Sequence, residues 1–237
     1  MRFGISALVA ALALILSPAA LRAQAPARVG PWYQPLHHQM PPGAAAYWTP
    51  FQGKATPGWF QPVRFELPSG GNVTLYDASP AQPVPLAAPA LAGLLVGHVY
   101  RLRLSDMPEF PGVELYPTVE VLDRLHPPPG REAEFPVPVP FTPDEVEQAL
   151  SGGLVTKVIY LEQPQIAIAR DANGLVLPVQ TVSPQVNLLS VADQLGRPLL
   201  IVRLGGRLPE ARNPDPAFWG TGGPVRIVTP PPPAEQP

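Results

Sequence analysis

Proline is the feature that most constrains how this chain can fold, because 37 of its 237 residues are proline, against a usual share of about 5%. Each proline fixes φ and removes a backbone donor, which disfavours long helices and wide regular sheets. Cysteine is absent, so disulfides and thiolate metal sites are excluded and stability must come from an ordinary hydrophobic core. We therefore expect short elements joined by extended or irregular segments.

The N-terminus has the pattern of a secretory signal peptide. Arg2 precedes an apolar stretch over residues 3–18, and Ala23-Gln24-Ala25 places small residues where signal peptidase reads them. Residues 1–25 are therefore predicted to be removed. The alternative is an uncleaved anchor, but the apolar stretch is short for a membrane span, which needs about 20 residues. We expect an exported protein of the periplasm, cell envelope or extracellular space, with no transmembrane segment after cleavage.

Composition divides the remaining chain into three parts. Residues 26–62 form an N-terminal arm rich in proline and aromatic residues, residues 63–208 a β-rich domain, and residues 209–237 a proline-rich C-terminal tail. Since disordered linkers rarely carry many aromatic residues, part of the arm is expected to wrap onto the domain. The tail is expected to be disordered or loosely docked through Phe218 and Trp219.

Alternation of apolar and polar residues predicts short strands. Residues 154–161 are apolar on both faces, which is typical of an interior strand, and Asn173-Gly174 predicts a hairpin turn. Residues 135–140 alternate proline with apolar residues, as in an edge strand or a polyproline-type run, and residues 78–89 read as a surface connection. The predicted strands are residues 63–67, 72–76, 96–104, 113–122, 154–161, 165–169, 175–179 and 198–204.

Two short helices are predicted among these strands. Thr142 is placed as the N-cap of the first, with Pro143 at its first position and Glu145 completing a capping box. Ser190 is placed as the cap of the second, which Gly196 ends. The expected fold is mainly β: an antiparallel β-sandwich-like domain with two short helices and proline-rich irregular arms.

Part of the chain resembles a group of exported proteins from planctomycete bacteria that have no known activity. The resemblance rests on residues 96–104 (VGHVYRLRL), 112–129 (GVELYPTVEVLDRLHPPP), 141–143 (FTP) and 154–162 (LVTKVIYLE). It implies export and a β domain, and it implies nothing about an activity, a cofactor or site residues.

Conventional catalytic motifs are missing from the sequence. No serine lies in a Gly-x-Ser-x-Gly elbow, and the glycines at 205–206 and 220–223 lack the lysine of a phosphate-binding loop. The 16 Lys and Arg residues are scattered and the net charge is −2, so nucleic-acid binding has no electrostatic footprint. No cofactor is expected.

Histidines and acids give only weak signals for a site. His37 and His38 are adjacent, and on an extended chain their rings would point opposite ways and could not share a metal ion. His98 and His126 are expected to be structural. A glycosidase needs two facing carboxylates, for which the candidates are Asp106, Glu109, Glu114 and Glu120. Cross-strand ion pairs of Arg101 or Arg103 with Glu114 or Glu120 are the favoured interpretation.

We therefore expect a non-catalytic exported protein that acts as a structural or protein-binding β domain, with an envelope or extracellular protein as its partner. One alternative is a carbohydrate-binding module that binds polysaccharide through exposed aromatic rings. A second is a hydrolase with a carboxylate pair. The residues proposed for ligand binding are Trp32, Trp48, Trp59 and Trp219. No catalytic or metal-ligating residue is assigned.

Overall fold

The computed structural model describes residues 36–49, 58–76, 82–165, 167, 179–210, 215–219 and 222–229. All of these residues lie within one compact unit, Leu36–Pro237. The predicted signal peptide, Trp32 and the hairpin turn at Asn173-Gly174 fall outside the described residues. The predicted domain boundaries stay predictions, although described residues beyond them take part in the fold.

Short strands dominate the described part of the chain, as the proline content predicts. The helices are α1 (Ala44–Trp48), α2 (Pro143–Leu150), α3 (Leu188–Leu195) and α4 (Pro216–Trp219), with a 3₁₀ turn at Glu132–Glu134. The strands are β1 (Phe60–Glu66), β2 (Asn72–Tyr76), β3 (Pro83–Ala87), β4 (Ala90–Leu95), β5 (Val99–Ser105), β6 (Thr118–Val121), β7 (Val137–Pro140), β8 (Val155–Glu162), β9 (Gly196–Leu204) and β10 (Val225–Ile227).

These strands form two sheets. The four-stranded sheet has the order β10-β4-β1-β7 and the six-stranded sheet the order β3-β2-β5-β6-β9-β8. Phe65 of β1 and Leu94 of β4 share one buried apolar core with Leu75 of β2, Leu102 of β5 and Val202 of β9. The prediction of a mainly β, sandwich-like fold is confirmed. One pair, β1 with β7, is parallel, whereas the other pairs between these strands are antiparallel.

The six-stranded sheet is also covered on its outer face. A second apolar cluster there joins Ala45 and Ala46 of α1, Leu122 after β6, Leu189 of α3 and Ile201 of β9. Residues 36–49, which belong to the predicted N-terminal arm, therefore pack on this sheet. Near β9, both faces of the six-stranded sheet are therefore covered by apolar side chains.

Among the described strands, residues 154–161 do not take the interior position that is predicted for them. They form β8, which lies at an edge of the six-stranded sheet. Both faces of β8 are apolar because Val155 and Ile159 contact the main core while Val158 contacts the second cluster. Coverage of both faces does not require a neighbour along both edges, and the apolar pattern reports only the faces.

Other differences from the sequence predictions are local. Residues 83–87, predicted as surface connection, form β3, and β4 follows immediately after a bend. Asn187 rather than Ser190 caps α3, because its side chain accepts a hydrogen bond from the Leu189 N–H group. In the predicted tail, β10 pairs with β4. Each difference arises from a long-range pairing or a cap with no strong local pattern.

The cap of α2 is confirmed in detail and gives a first testable prediction. Thr142 Oγ1 accepts from the Glu145 N–H group at 3.3 Å, and Glu145 Oε2 accepts from the Thr142 N–H group at 3.1 Å. Thr142→Ala should lower the free energy of unfolding by about 1 kcal/mol, because it removes an N-cap acceptor. Urea denaturation would measure this change, and Thr142→Ser, which keeps the hydroxyl, should retain most of the stability.

Candidate functional site

The edge formed by β3 is poorly suited to pair with a further strand. The Ala88 N–H group donates to the Gly71 carbonyl at 2.9 Å. Because backbone groups alternate in direction along a strand, every second residue before Ala88 also directs its backbone nitrogen toward β2. Pro83 and Pro85 fall between them, at positions whose backbone nitrogens face away from the sheet. Proline has no N–H group, and the outer side of β3 therefore lacks two donors that an added strand would need.

The edge formed by β7 is blocked in the same way. The Phe141 N–H group donates to the Glu66 carbonyl at 2.8 Å, which places the nitrogens of Pro138 and Pro140 on the outer side. The Pro140 carbonyl accepts a hydrogen bond from the Lys157 side chain. Of the two structures predicted for residues 135–140, the edge strand is confirmed over Val137–Pro140, and its prolines occupy positions that disfavour pairing.

The edge formed by β8 has the opposite character. Its eight residues contain no proline, and no described strand lies beyond it in the sheet. The Gln163 N–H group donates to the Leu195 carbonyl at 3.1 Å, so the alternate residues Thr156, Val158, Tyr160 and Glu162 direct their backbone groups outward. Four N–H groups and four carbonyls are thus arranged along one side of β8.

The side chains along β8 do not protect this edge. Leu161 within the strand and Leu154 just before it are 45% and 66% exposed. Lys157 points into the sandwich, where its ammonium group lies 2.8 Å from a Glu145 carboxylate oxygen and 4.9 Å from the Phe141 ring centre. Burial lowers the pKa of Lys157, against the raising effect of Glu145. Charged residues, lysine above all, often protect edge strands from pairing. In β8 the lysine is directed into the sandwich and does not protect the edge.

The last edge, at β10, is short. β10 has three residues and pairs with β4 over Val225–Ile227. The guanidinium group of Arg226 lies 4.3 Å from the Phe60 ring centre. Short edge strands offer few backbone groups to a partner, so β8 is the longest unblocked edge among the described strands.

The four acids considered for hydrolysis have different hydrogen-bond or ion-pair partners. Asp106 accepts from Asn72 and Ser105, and Glu109 accepts from the Ser69 hydroxyl. A depression of about 350 Å³ is lined by none of the four, and its one acid, Glu66, is paired with Arg64 at 2.7 Å.

The predicted cross-strand ion pairs are confirmed in part. Arg103 lies 3.5 Å from Glu114. Arg101 instead donates to the carbonyls of Phe218 and Tyr116, and Glu120 pairs with Arg203 at 2.8 Å. No local sequence pattern links Glu120 with Arg203, because the two residues lie 83 positions apart.

The prediction that the rings of His37 and His38 point opposite ways is wrong. Their ring centres are 4.6 Å apart and the rings stack, because the chain turns at this point rather than running straight. Among the described residues, no three His, Cys, Asp or Glu side chains are grouped so as to hold a metal ion. His126 lies near Arg197, with 3.4 Å between the nearest nitrogens.

Three of the four tryptophans considered for sugar binding are described. The Trp48 ring contacts the Tyr47 ring edge-on at 5.3 Å. The Arg124 guanidinium covers the Trp59 ring at 4.2 Å, and the Trp219 ring contacts that of Tyr76 at 4.4 Å. The indole N–H groups of Trp59 and Trp219 are buried and have no partner among the described residues. Sugar binding by these rings stays a prediction.

No known protein family, curated protein or solved structure matches this chain. Its function must therefore be inferred from its own geometry. None of the helices in the described ranges is long and apolar enough to cross a lipid bilayer.

The unblocked β8 edge is not among the sequence predictions, although the sequence carries a signal for it. The pattern Pro-Val-Pro occurs at residues 83–85 and again at 136–140, and in the fold both segments lie at sheet edges. A strand without such prolines is therefore a candidate either for an interior position or for a binding edge. The choice between these depends on the strand order, which no local pattern contains.

Proposed function

We propose that this protein is a non-catalytic exported protein of the cell envelope or extracellular space that binds another envelope protein by strand addition at β8. The observation that carries the proposal is the contrast between the edges: β3 and β7 are blocked by outward prolines, whereas β8 offers outward backbone groups over eight residues. A long unprotected edge strand is a liability for aggregation. Its retention beside two blocked edges favours a partner that pairs with it.

The edge chemistry indicates what kind of segment would bind. Strand addition supplies affinity through main-chain hydrogen bonds and specificity through side-chain contacts. Exposed Leu154 and Leu161 would contact apolar side chains of the partner. Glu162 makes no ion pair among the described residues and would lie opposite a basic residue. We therefore propose an extended, apolar segment with a Lys or Arg near one end.

A second copy of this chain fits the edge less well. If two β8 strands paired antiparallel about a two-fold axis, residues of the same face would lie opposite each other. No cation of the other copy's β8 would then lie opposite Glu162, because Lys157 is on the other face of the strand and is paired with Glu145. This charge arrangement favours a different protein as the partner.

Site-specific photo-cross-linking tests the proposal. A photoreactive amino acid at Leu161 in the full chain should form an adduct in native envelope extract, and peptide mapping should place it in an extended segment of one envelope protein. Val158→Pro should reduce the adduct at least tenfold, because it removes an outward N–H group from the middle of the edge. The measurement is adduct yield by quantitative mass spectrometry.

Two matched controls separate backbone pairing from other effects. Val158→Ala also removes the packing of this side chain against the second cluster, but it keeps the N–H group and should keep most of the adduct. A photoreactive residue at Phe135, which is 42% exposed beside the blocked β7 edge, should give no comparable adduct. Equal yields from the Pro and Ala variants, or an adduct only with a second copy of this chain, would overturn the proposal.

A further inference from the structure

Residues 36–49 are held on the outer face of the six-stranded sheet by buried polar contacts. The Ala46 N–H group donates to Glu120 Oε1 at 2.7 Å. The guanidinium of Arg203 donates to the carbonyls of His38 at 2.9 Å and of Met40 at 3.3 Å. Since Glu120 and Arg203 also pair with each other, one ion pair between β6 and β9 holds the segment at three of its residues.

His38 makes a further attachment, to the start of α3. Its Nδ1 accepts a hydrogen bond from the Leu188 N–H group at 3.1 Å, which is one of the first donors of a helix and has no partner within the helix. The Asn187 side chain completes the contact by donating to the Leu36 carbonyl at 2.9 Å. An imidazole nitrogen accepts only when it carries no proton, so this attachment requires neutral His38.

Most of the groups that face His38 disfavour its protonated form; the exception in contact with the ring is Asn187 Oδ1, which lies 3.5 Å from Nδ1 and would accept a hydrogen bond from the protonated ring. Arg203 approaches from β9, His37 stacks on the ring from the same segment, and α3 presents its positive end. Glu120 of β6 carries the opposite charge but is bound to Arg203. Burial lowers the pKa of His38 below 6.5; a hydrogen bond to Asn187 opposes this, and the charges of His37 and Arg203 add to the lowering.

We propose that the attachment of residues 36–49 is acid-sensitive and that protonation of His38 releases this segment from the sheet. A buried neutral histidine gives its full stabilisation above the pKa of the unfolded form, and that stabilisation is lost as the pH falls toward the folded value. Release would expose Ile201 of β9 and uncover the first turn of α3. The release of residues 36–49 takes place at mildly acidic pH, and it does not depend on whether a strand is bound at β8.

Amide hydrogen exchange of the full chain at pH 7.5 and 5.5 tests this, with rates corrected for intrinsic exchange. Protection of residues 36–49 and of the first turn of α3 should fall by up to about tenfold, the limit for one histidine one pH unit below its ordinary pKa. Protection of β5 and β1 should not change. An NMR titration of the His38 ring should give a pKa below 6.5.

Matched variants distinguish the role of His38 from a general effect of acid. His38→Asn places a side-chain oxygen near the position of Nδ1 and does not titrate, so residues 36–49 should keep their protection at pH 5.5. His98→Asn removes a histidine elsewhere and should respond to acid like the unaltered chain. Unchanged protection of the unaltered chain at pH 5.5, an equal loss in His38→Asn, or a His38 pKa of 6.5 or above would overturn the proposal.

Discussion

Replacing Arg203 with methionine should lower the free energy of unfolding by about 3–5 kcal/mol, the usual cost of removing one partner from a buried ion pair. Glu120 has no exposed surface and the Arg203 side chain is 8% exposed. The substitution leaves the Glu120 carboxylate buried without a countercharge and removes the donors to the His38 and Met40 carbonyls. Urea denaturation followed by circular dichroism would measure the change.

Two controls show whether burial of the charge is the cause. The double variant Glu120→Gln with Arg203→Met leaves no buried charge, so it should be more stable than Arg203→Met alone. Arg64→Met breaks an ion pair with Glu66 whose side chains are 41% and 38% exposed, and it should cost less than about 1 kcal/mol. A loss below about 1 kcal/mol for Arg203→Met would contradict the assigned role.

Phe218→Ala should lower the free energy of unfolding by about 3–5 kcal/mol, as is typical for truncating a buried phenylalanine. Phe218 is 2% exposed, and its ring contacts those of Tyr116 at 5.6 Å and Trp219 at 5.3 Å. The Arg101 guanidinium lies 4.3 Å from its ring centre. The C-terminal segment is therefore expected to unfold together with the sandwich, in one transition followed by tryptophan fluorescence and circular dichroism.

Phe135→Ala serves as the matched control for this prediction. Phe135 is 42% exposed and has the same side chain, so its loss should change stability by less than about 0.5 kcal/mol, as is usual for surface positions. If Phe218→Ala were no more costly than Phe135→Ala, the segment around Phe218 would be docked only loosely, as the composition of residues 209–237 suggests.

Features encoded in a few neighbouring residues could be predicted from the sequence. The capping box at Thr142 and Glu145 was found because its signal lies within four residues. The strand Asn72–Tyr76 was found with its observed bounds, because alternation and flanking turn residues define it locally. The sandwich-like fold followed from many such short strands.

Features that depend on the order of strands could not be predicted in this way. The Glu120–Arg203 pair forms because β6 and β9 are neighbours in the sheet. No local sequence pattern connects the two residues. The attachment of His38 to α3 spans 150 residues. β8 was predicted as an interior strand for the same reason: the local pattern shows that both of its faces are apolar, but it does not show that β8 is the last strand of the sheet among those described.

The placement of the outward prolines has a consequence for assembly. A molecule that can recruit a strand on two opposite sides can grow without limit, as amyloid-forming sheets do. Here the far side of the β8 sheet is β3, where Pro83 and Pro85 remove the donors that a second recruit would need. The outward prolines of β3 therefore disfavour a ladder in which β8 of one copy pairs with β3 of the next, so copies of this chain would not join end to end into a fibre through these two edges.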